Sequence, residues 1–336
     1  MSTPHPTRRT TGPAGRDEQL RLMIKVARLY HEHNVLQPEI ARRLHISQAR
    51  VSRLLKQAAA EGIVRVTVVV PEGMRTGLEE ALEERYGLRE AVVVECFDTS
   101  ESGIAHDLGT ATAAYLEASL TGGDVVGVSS WSATLLAAVD AMRRIPRAAA
   151  ERVVQLVGGT GNPAAEGHAA HLTQRFAELT GAKPTFLLAP GIATSPQARE
   201  ALMQDQYVQE AISAHDEVTL ALVGIGALEP STLLQSSGNI FSERELAALG
   251  ERGAVGDVCL RFFDANGSPV ASEVDRRVIG VTLEQLGRVE RSVGVAGGAR
   301  KYAAIRGAVL GGWVNVLITD HVTAERLAAE RPQPAG

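Results

Sequence analysis

Apolar residues near the amino terminus follow the spacing of two short helices joined by a tight turn. In the segment QPEIARRLHISQARVSRLLK, which spans 37–56, Ile40 and Leu44 share one face of the first helix. Val51 and Leu54 share one face of the second. The pattern predicts a helix-turn-helix of the DNA-binding kind, with an ordinary helical hairpin as the alternative.

The side chains that this arrangement turns outward are polar and cationic. Ser47 is a good N-cap for the second helix, because its hydroxyl can accept from a backbone N–H of the first turn. Groups on the outer face of such a helix reach base edges and phosphates in a DNA major groove. The candidate DNA contacts are Ser47, Gln48, Ala49, Arg50, Ser52, Arg53 and Lys56, together with Arg42 and Arg43 of the first helix.

Positive charge is concentrated in the same part of the chain. Residues 1–62 hold 11 Lys and Arg against 5 Asp and Glu, whereas the whole chain of 336 residues holds 34 and 39, a formal net charge of −5. Cations that neutralise DNA phosphates release counterions, so charge and pattern together favour binding to double-stranded DNA over a solvated basic face. The acidic remainder argues against non-specific DNA packaging, because it would repel DNA.

The domain organisation follows from where the pattern changes after the second helix. A β-branched run at 63–70 predicts a strand, either a wing of the DNA-binding domain or the start of the next domain, and 71–73 is the predicted linker. We predict a disordered tail at 1–16, a winged-type helix-turn-helix domain at 17–70, and an effector-sensing and oligomerisation domain at 71–330.

In the rest of the chain, short apolar runs alternate with helical stretches. This alternation predicts a parallel sheet with helices on both faces, a Rossmann-like doubly wound α/β fold. The strand candidates are 90–95, 124–129, 152–157, 185–188, 217–223, 255–263, 289–295 and 313–318. The helix candidates include 104–120, 134–142, 168–179 and 301–310.

Serine, threonine and glycine are concentrated where predicted strands end, which is where doubly wound sheets bind ligands. The segment SSWSAT at 129–134 brings hydroxyl groups and backbone N–H groups to the start of a helix, which suits a phosphate; a capped turn with a packed tryptophan is the alternative. Glycine clusters occur at 158–161, 224–226 and 294–298. Lys301 lies in the first turn of a predicted helix, where the dipole disfavours a cation unless an anion is bound. These loops predict one shared pocket.

The other chemistry-bearing residues match no nucleotide-binding or hydrolase motif. His168 and His171 share a predicted helix, but no third ligand lies near them in the sequence, so we expect neither a metal nor another cofactor. Cys96 and Cys259 are predicted to be buried free thiols in a reducing cytosol. The sequence has no signal peptide and no apolar run of membrane-spanning length, so we expect a cytoplasmic protein without a membrane partner.

An ordered set of stretches resembles the SorC family of bacterial transcription regulators, also called the DeoR-type sugar-binding regulators. The resemblance extends from about Asp17 to Ala329. The matching stretches are DEQLRLMIKVARLYHEHNVLQPEIARRLHISQARVSRLLKQAAAEGIV, VVGVSSWSATL, VVQLVGGTG, LVGIGALEPSTLLQSSG, GAVGDVCLRFFDANG and VGVAGGARKYAAIRGAVLGGWVNVLITD.

The resemblance implies a carboxy-terminal domain similar to ribose-phosphate isomerases and CoA transferases, a homotetramer, and a phosphorylated sugar or polyol as effector. It implies that 129–134 and Lys301 hold the phosphate, that Gly158 to Gly161 border the sugar, and that Asp257 and His168 contact the sugar. The candidate effector-binding residues are Ser129, Ser130, Trp131, Ser132, Thr134, Gly158, Gly159, Thr160, Gly161, His168, Gly224, Gly226, Asp257 and Lys301.

Two functions fit these features. One is an effector-controlled transcription regulator of a carbohydrate or polyol catabolic operon. The other is a sugar-phosphate isomerase or transferase with a DNA-binding appendage. The enzyme needs a positioned base together with a nucleophile or an acid, and the sequence alone assembles no such set. We therefore predict a regulator without enzymatic activity.

Overall fold

The structure is a computed structural model that divides into two compact units, Met1–Val70 and Pro71–Gly336. The predicted linker at 71–73 and all of the predicted strand beyond Val64 lie outside the described residues. Within the described part of the chain, no helix combines the length and apolar character needed to cross a membrane. The described residues are 13–64, 74–145, 147–159, 163–230, 235 and 241–330, without the side chains of 13–16 and 163–168.

The described part of the first unit consists of helices packed around a small apolar core. Ile40, Val51 and Leu54, which the sequence pattern placed inward, are buried together with Met23 and Val26 of the first helix. The amino-terminal helices therefore fit a helix-turn-helix domain. They are α1 (Pro13–His31), α2 (Gln37–Arg43) and α3 (Gln48–Ala60).

Local signals fix the ends of these helices. The predicted tail at 1–16 is wrong for its last residues, because α1 begins at Pro13, and proline loses no hydrogen bond in a first helical turn. Ser47 caps α3 as predicted, since its Oγ accepts from the Arg50 N–H at 3.2 Å. Between α2 and α3, His45 has a φ of +54°, a left-handed conformation that costs a residue with a Cβ about 1–2 kcal/mol.

The second unit is a mixed α/β domain. Its strands are β1 (Glu90–Val94), β2 (Asp124–Val128), β3 (Ala150–Gln155), β4 (Lys183–Thr185), β5 (Leu220–Ala227), β6 (Ala254–Val258), β7 (Arg261–Asp264), β8 (Arg291–Val295) and β9 (Val316–Asp320). The described helices of eight or more residues are α4 (Thr76–Tyr86), α5 (Glu101–Ser119), α6 (Ala133–Ala141), α7 (Pro163–Thr180), α9 (Gln206–Ser213), α10 (Glu243–Glu251), α12 (Tyr302–Leu310) and α13 (His321–Ala329). Shorter helices are α8 (Pro196–Leu202), α11 (Leu283–Arg288) and the 3-10 turns Ala214–Glu217 and Ala299–Lys301.

The main sheet is parallel, in the order β1-β9-β8-β5-β2-β3-β4. The predicted parallel sheet is thus confirmed. β8, β5 and β2 lie side by side at its centre. The loops that follow their carboxyl ends therefore meet at one edge of the sheet, which is the usual place for a ligand in such folds.

Alternate residues of the central strands enter two separate cores. In β5, Leu220 and Leu222 pack in one core, whereas Ala221 and Val223 pack in the other. Successive side chains of a strand point to opposite faces, so apolar material covers the sheet on both sides. Every residue of β2 is buried, as expected for a central strand between two helical layers.

The single strand predicted at 255–263 is wrong, because this run folds as the antiparallel hairpin of β6 and β7, attached to the end of β5. The turn consists of Cys259 and Leu260, whose φ angles are +54° and +63°. A two-residue hairpin turn with positive φ at both positions usually carries Asn or Gly there, so this apolar pair gave no turn signal.

Candidate functional site

A cavity of about 460 Å³ opens at the carboxyl ends of β2, β5 and β8. Its lining combines the loop after β2, the end of β5, the hairpin turn of Cys259 and Leu260, the first turn of α5, and the segment 297–301. The predicted effector-binding residues that line it are Ser129, Ser130, Trp131, Ser132, Thr134, Gly224, Gly226, Asp257 and Lys301.

The loop at 130–134 is held in place by contacts to the neighbouring strands. Ser129 Oγ accepts from the Gly224 N–H at 3.2 Å, and Trp131 Nε1 donates to the Gly158 carbonyl at 3.3 Å. Among the described residues, none accepts a hydrogen bond from the backbone N–H groups of 130–134. A fixed loop with several unused donors is suited to an anion with several oxygens.

Three helices begin at this cavity. Ser132 caps α6 by accepting from the Leu135 N–H at 3.3 Å, and Ser100 caps α5 by accepting from the Gly103 N–H at 3.1 Å. α12 begins directly after Lys301. The amino-terminal end of a helix carries partial positive charge, so the three ends together favour negative charge in the cavity.

Lys301 and Asp257 contribute opposite charges to the lining. Burial lowers the pKa of the Lys301 ammonium, and the nearby Arg300 lowers it further. Burial raises the pKa of the Asp257 carboxyl to about 6, although the Leu260 N–H donates to Asp257 Oδ2 at 2.9 Å and opposes that rise. Within the described residues, nothing accepts a hydrogen bond from Lys301 Nζ. Lys301 is therefore a desolvated cation without a hydrogen-bond acceptor among the described residues, and the negative charges of Asp257 and Glu101 only oppose the lowering of its pKa.

The raised pKa of Asp257 gives the free energy of unfolding a pH dependence. The folded protein holds the Asp257 proton more tightly than the unfolded chain does. The stabilisation of the folded state by this proton is therefore complete below pH 3.8 and is lost as the pH rises through about 6. Across this pH interval, we expect the free energy of unfolding of the wild-type protein to fall by about 2–3 kcal/mol more than that of Asp257→Asn. Denaturant unfolding at a series of pH values measures the difference; parallel curves for the two proteins would contradict it.

An ion pair that the sequence analysis missed also lines the cavity. Arg300 Nε lies 2.6 Å from Glu101 Oε1, and Arg300 Nη1 donates to the Glu229 carbonyl at 3.2 Å. These contacts connect the first turn of α5, the loop after β5 and the segment before α12. The two charged partners are 199 positions apart, so no local pattern could pair them.

Gly224 and Gly226 bring the β5 backbone close to two polar side chains of the cavity. A Cβ on Gly226 would lie 2.1 Å from Asp257 Oδ1, and one on Gly224 would lie 2.9 Å from Ser132 Oγ. The absence of a Cβ at these two positions therefore leaves the room that the Asp257 and Ser132 side chains occupy.

Gly226→Ala is expected to displace Asp257 and to lower the free energy of unfolding by about 1–3 kcal/mol, as overpacking of a tight site does. The matched control is Gly77→Ala in α4, where no atom lies within 4 Å of an added Cβ. Denaturant unfolding of the two variants tests the assignment. Equal stability of both would show that the Asp257 contact is not tight.

Some predicted effector residues do not line the cavity. A Cβ on Gly158 would lie 2.4 Å from the Pro190 carbonyl oxygen, and one on Gly159 would lie 2.2 Å from Gln155 Nε2, so both glycines pack closely against other parts of the protein. Residues 160–161 lie outside the described part of the chain. His168 belongs to α7, and its side chain is not among those described. In the described residues, no group of three or more His, Cys, Asp or Glu side chains is arranged to hold a metal.

The candidate DNA-binding surface lies on α3. Arg42 and Arg43 in α2 both pair with Glu39, the second at 2.8 Å, so part of their charge is already neutralised. Arg53 and its cationic neighbours in α3 have no acidic partner among the described residues. Ser52 is half-buried. The exposed candidates are Arg42, Arg43, Ser47, Gln48, Ala49, Arg50, Arg53 and Lys56.

Comparison with known proteins identifies the family. The Sugar-bind family of sugar-binding domains matches residues 73–329. The deoxyribonucleoside regulator of Bacillus subtilis (strain 168) is 38% identical over 310 residues, covering 92% of this chain and 98% of that protein. The sorbitol operon regulator of Klebsiella pneumoniae is 30% identical over 314 residues, covering 92% and 98%.

Solved structures agree with the sequence matches. The crystal structure of the full-length sorbitol operon regulator SorC from Klebsiella pneumoniae superposes with a TM-score of 0.69 at 30% identity, covering 92% of this chain and 98% of that chain. The matched domain contains the cavity at the carboxyl ends of β2, β5 and β8. The chain therefore belongs to the SorC and DeoR-type family of sugar-binding transcriptional regulators.

Proposed function

We propose that this regulator contacts operator DNA through the exposed face of α3 and is controlled by a phosphorylated sugar or polyol bound in the cavity. The observation that carries the effector assignment is Lys301, a desolvated cation without a hydrogen-bond acceptor among the described residues, beside three helix amino termini. A phosphate supplies the negative charge and the acceptor oxygens that this arrangement favours.

The DNA-binding half of the proposal is supported by the cations of α3. Arg50, Arg53 and Lys56 are exposed, and no described acidic side chain pairs with them. Buried Val51 and Leu54 fix the opposite face of the helix, so the cations are presented on a rigid scaffold. Such a face reads base edges and binds phosphates in a major groove.

The proposed assembly is a cytoplasmic homotetramer that presents pairs of α3 helices to a roughly palindromic operator. Half-sites would then lie about one helical turn apart, or a multiple of that. Effector binding would favour one spacing of the reading helices, with a coupling free energy of about 1–3 kcal/mol that is reciprocal between DNA and effector. Light scattering should give a particle about four times the 35.6 kDa chain mass.

The deciding experiment compares matched pairs of ligands. Thermal shift is measured with 2-deoxyribose, sorbitol and erythritol, and with a phosphorylated form of each, chosen because relatives are named for deoxyribonucleosides, sorbitol and erythritol. We expect stabilisation by at least one phosphorylated member and none by its unphosphorylated partner. Gel shift with promoter fragments from the chain's own genomic neighbourhood should then show an effector-dependent affinity. Equal responses within every pair would refute the phosphate assignment.

The isomerase or transferase hypothesis finds no support in the comparisons. The related proteins are named as regulators of transcription, over nearly the full length of this chain. A cavity that binds a sugar phosphate is equally useful for sensing, because fold alone does not determine function.

A further inference from the structure

The Arg300–Glu101 ion pair occupies the cavity lining directly beside Lys301. Glu101 is the first residue of α5, so its carboxylate lies at a positive helix end as well as against a guanidinium. This carboxylate therefore has the surroundings that an anionic ligand of the cavity would have. It acts as a negative group supplied by the protein itself.

The two partners of this ion pair differ in exposure. The Glu101 side chain is 75% exposed, whereas the Arg300 side chain is 34% exposed and is also held by the Glu229 carbonyl. An ion pair with one partner in solvent contributes little to stability, because water screens the attraction. Arg300 is thus fixed in the lining, while Glu101 can leave into water at low cost.

A phosphate is a stronger partner for a guanidinium than a solvated carboxylate. It offers several acceptor oxygens and up to two negative charges, and it can be bound by two parallel hydrogen bonds. The Arg300 charge lowers the pKa of Lys301, so the two cations lie close enough to interact. One phosphate between them would relieve this repulsion, which a sugar without charge cannot do.

We propose that Arg300 is a specificity-determining residue that exchanges Glu101 for the effector phosphate. Glu101 then competes with the ligand for Arg300, so that only a ligand with a strong negative charge displaces it. This inference rests on the proposed function of the cavity. The Glu101 carboxylate lowers the affinity of the cavity for every ligand that needs Arg300, and this favours dianionic ligands over neutral sugars.

Glu101→Gln removes the competitor and leaves the two cations in place. It is expected to bind 2-deoxyribose 5-phosphate and inorganic phosphate about 3- to 5-fold more tightly than wild type, by calorimetric titration at neutral pH. The matched control is Glu284→Gln, because Glu284 is also 75% exposed and pairs with an arginine, Arg288, away from the cavity. The control should bind both ligands as wild type does.

Arg300→Gln gives the complementary result. It should bind the two phosphates about 10-fold or more weakly, because a charged hydrogen-bond donor is lost. In the double variant, Glu101→Gln should add less affinity than it does alone, since there is no guanidinium left to release and only the weaker attraction between Glu101 and Lys301 is removed. Retained binding by Arg300→Gln would contradict the role of the guanidinium.

The outcomes separate this inference from the function on which it rests. If wild type binds 2-deoxyribose 5-phosphate and Glu101→Gln binds it no more tightly, Glu101 is not a competitor and the inference fails alone. If no variant binds either phosphate, the assignment of the cavity as a phosphate site fails with it. A gain in affinity from Glu101→Gln that is equally large with and without Arg300 would also overturn the exchange.

Discussion

Replacement of Lys301 by methionine is expected to weaken binding of a phosphorylated effector about 100-fold and to abolish the effector's influence on operator binding. The ammonium group is desolvated and has no hydrogen-bond acceptor among the described residues, so a bound phosphate would form a charged hydrogen bond worth up to about 3 kcal/mol. Methionine keeps most of the length of the side chain but cannot donate a hydrogen bond. Affinity for operator DNA without effector should be unchanged, because Lys301 belongs to the other compact unit.

The pH dependence gives a second measurement on the same residue. Because the pKa of Lys301 is lowered from 10.5, the ammonium loses its proton earlier in a rising pH series than an exposed lysine does. Wild-type affinity should therefore fall on the alkaline side below pH 10.5, whereas Lys301→Met should show no such fall. Lys183→Met, which changes an exposed lysine of β4, is the control and should behave as wild type. A full response to effector in Lys301→Met would exclude the phosphate contact.

The fold was predictable where apolar residues recur at the regular spacing of a helix or a strand. Helical spacing alone predicted that Ile40, Val51 and Leu54 are buried, and short β-branched runs predicted the strands of the parallel sheet. The hairpin of β6 and β7 was not predictable, because its turn uses Cys259 and Leu260, which are unusual at positive φ. The segment predicted as one strand therefore contains a reversal of direction that no turn residue signals.

The candidate site was predictable only where it depends on sheet topology. Ser129 and Lys301 were expected to meet because carboxyl ends of parallel strands share one edge, and the cavity contains both. The glycines at 158 and 159 also follow a strand, but Gly158 packs closely against the Pro190 backbone and Gly159 against the Gln155 side chain. Composition alone cannot distinguish a glycine that borders a ligand from one that packs against the protein itself.

Replacement of Arg53 by alanine is expected to weaken operator binding about 100-fold. Arg53 is exposed on α3, opposite buried Val51 and Leu54, and has no acidic partner among the described residues. A direct arginine contact is worth about 1–3 kcal/mol, and a palindromic operator engages it once in each half-site. Fluorescence anisotropy with a labelled operator measures the loss, and the slope of log affinity against log salt concentration should become shallower by about 1 for each lost phosphate contact.

Arg28→Ala is the matched control for this experiment. Arg28 is also exposed and lies in the same unit, but it belongs to α1 and pairs with Glu32 at 2.8 Å. Its removal should leave both the affinity and the salt slope unchanged. Equal losses in the two variants would indicate that DNA senses only the net charge of the amino-terminal unit, whereas a loss confined to Arg53→Ala identifies α3 as the helix that faces the groove.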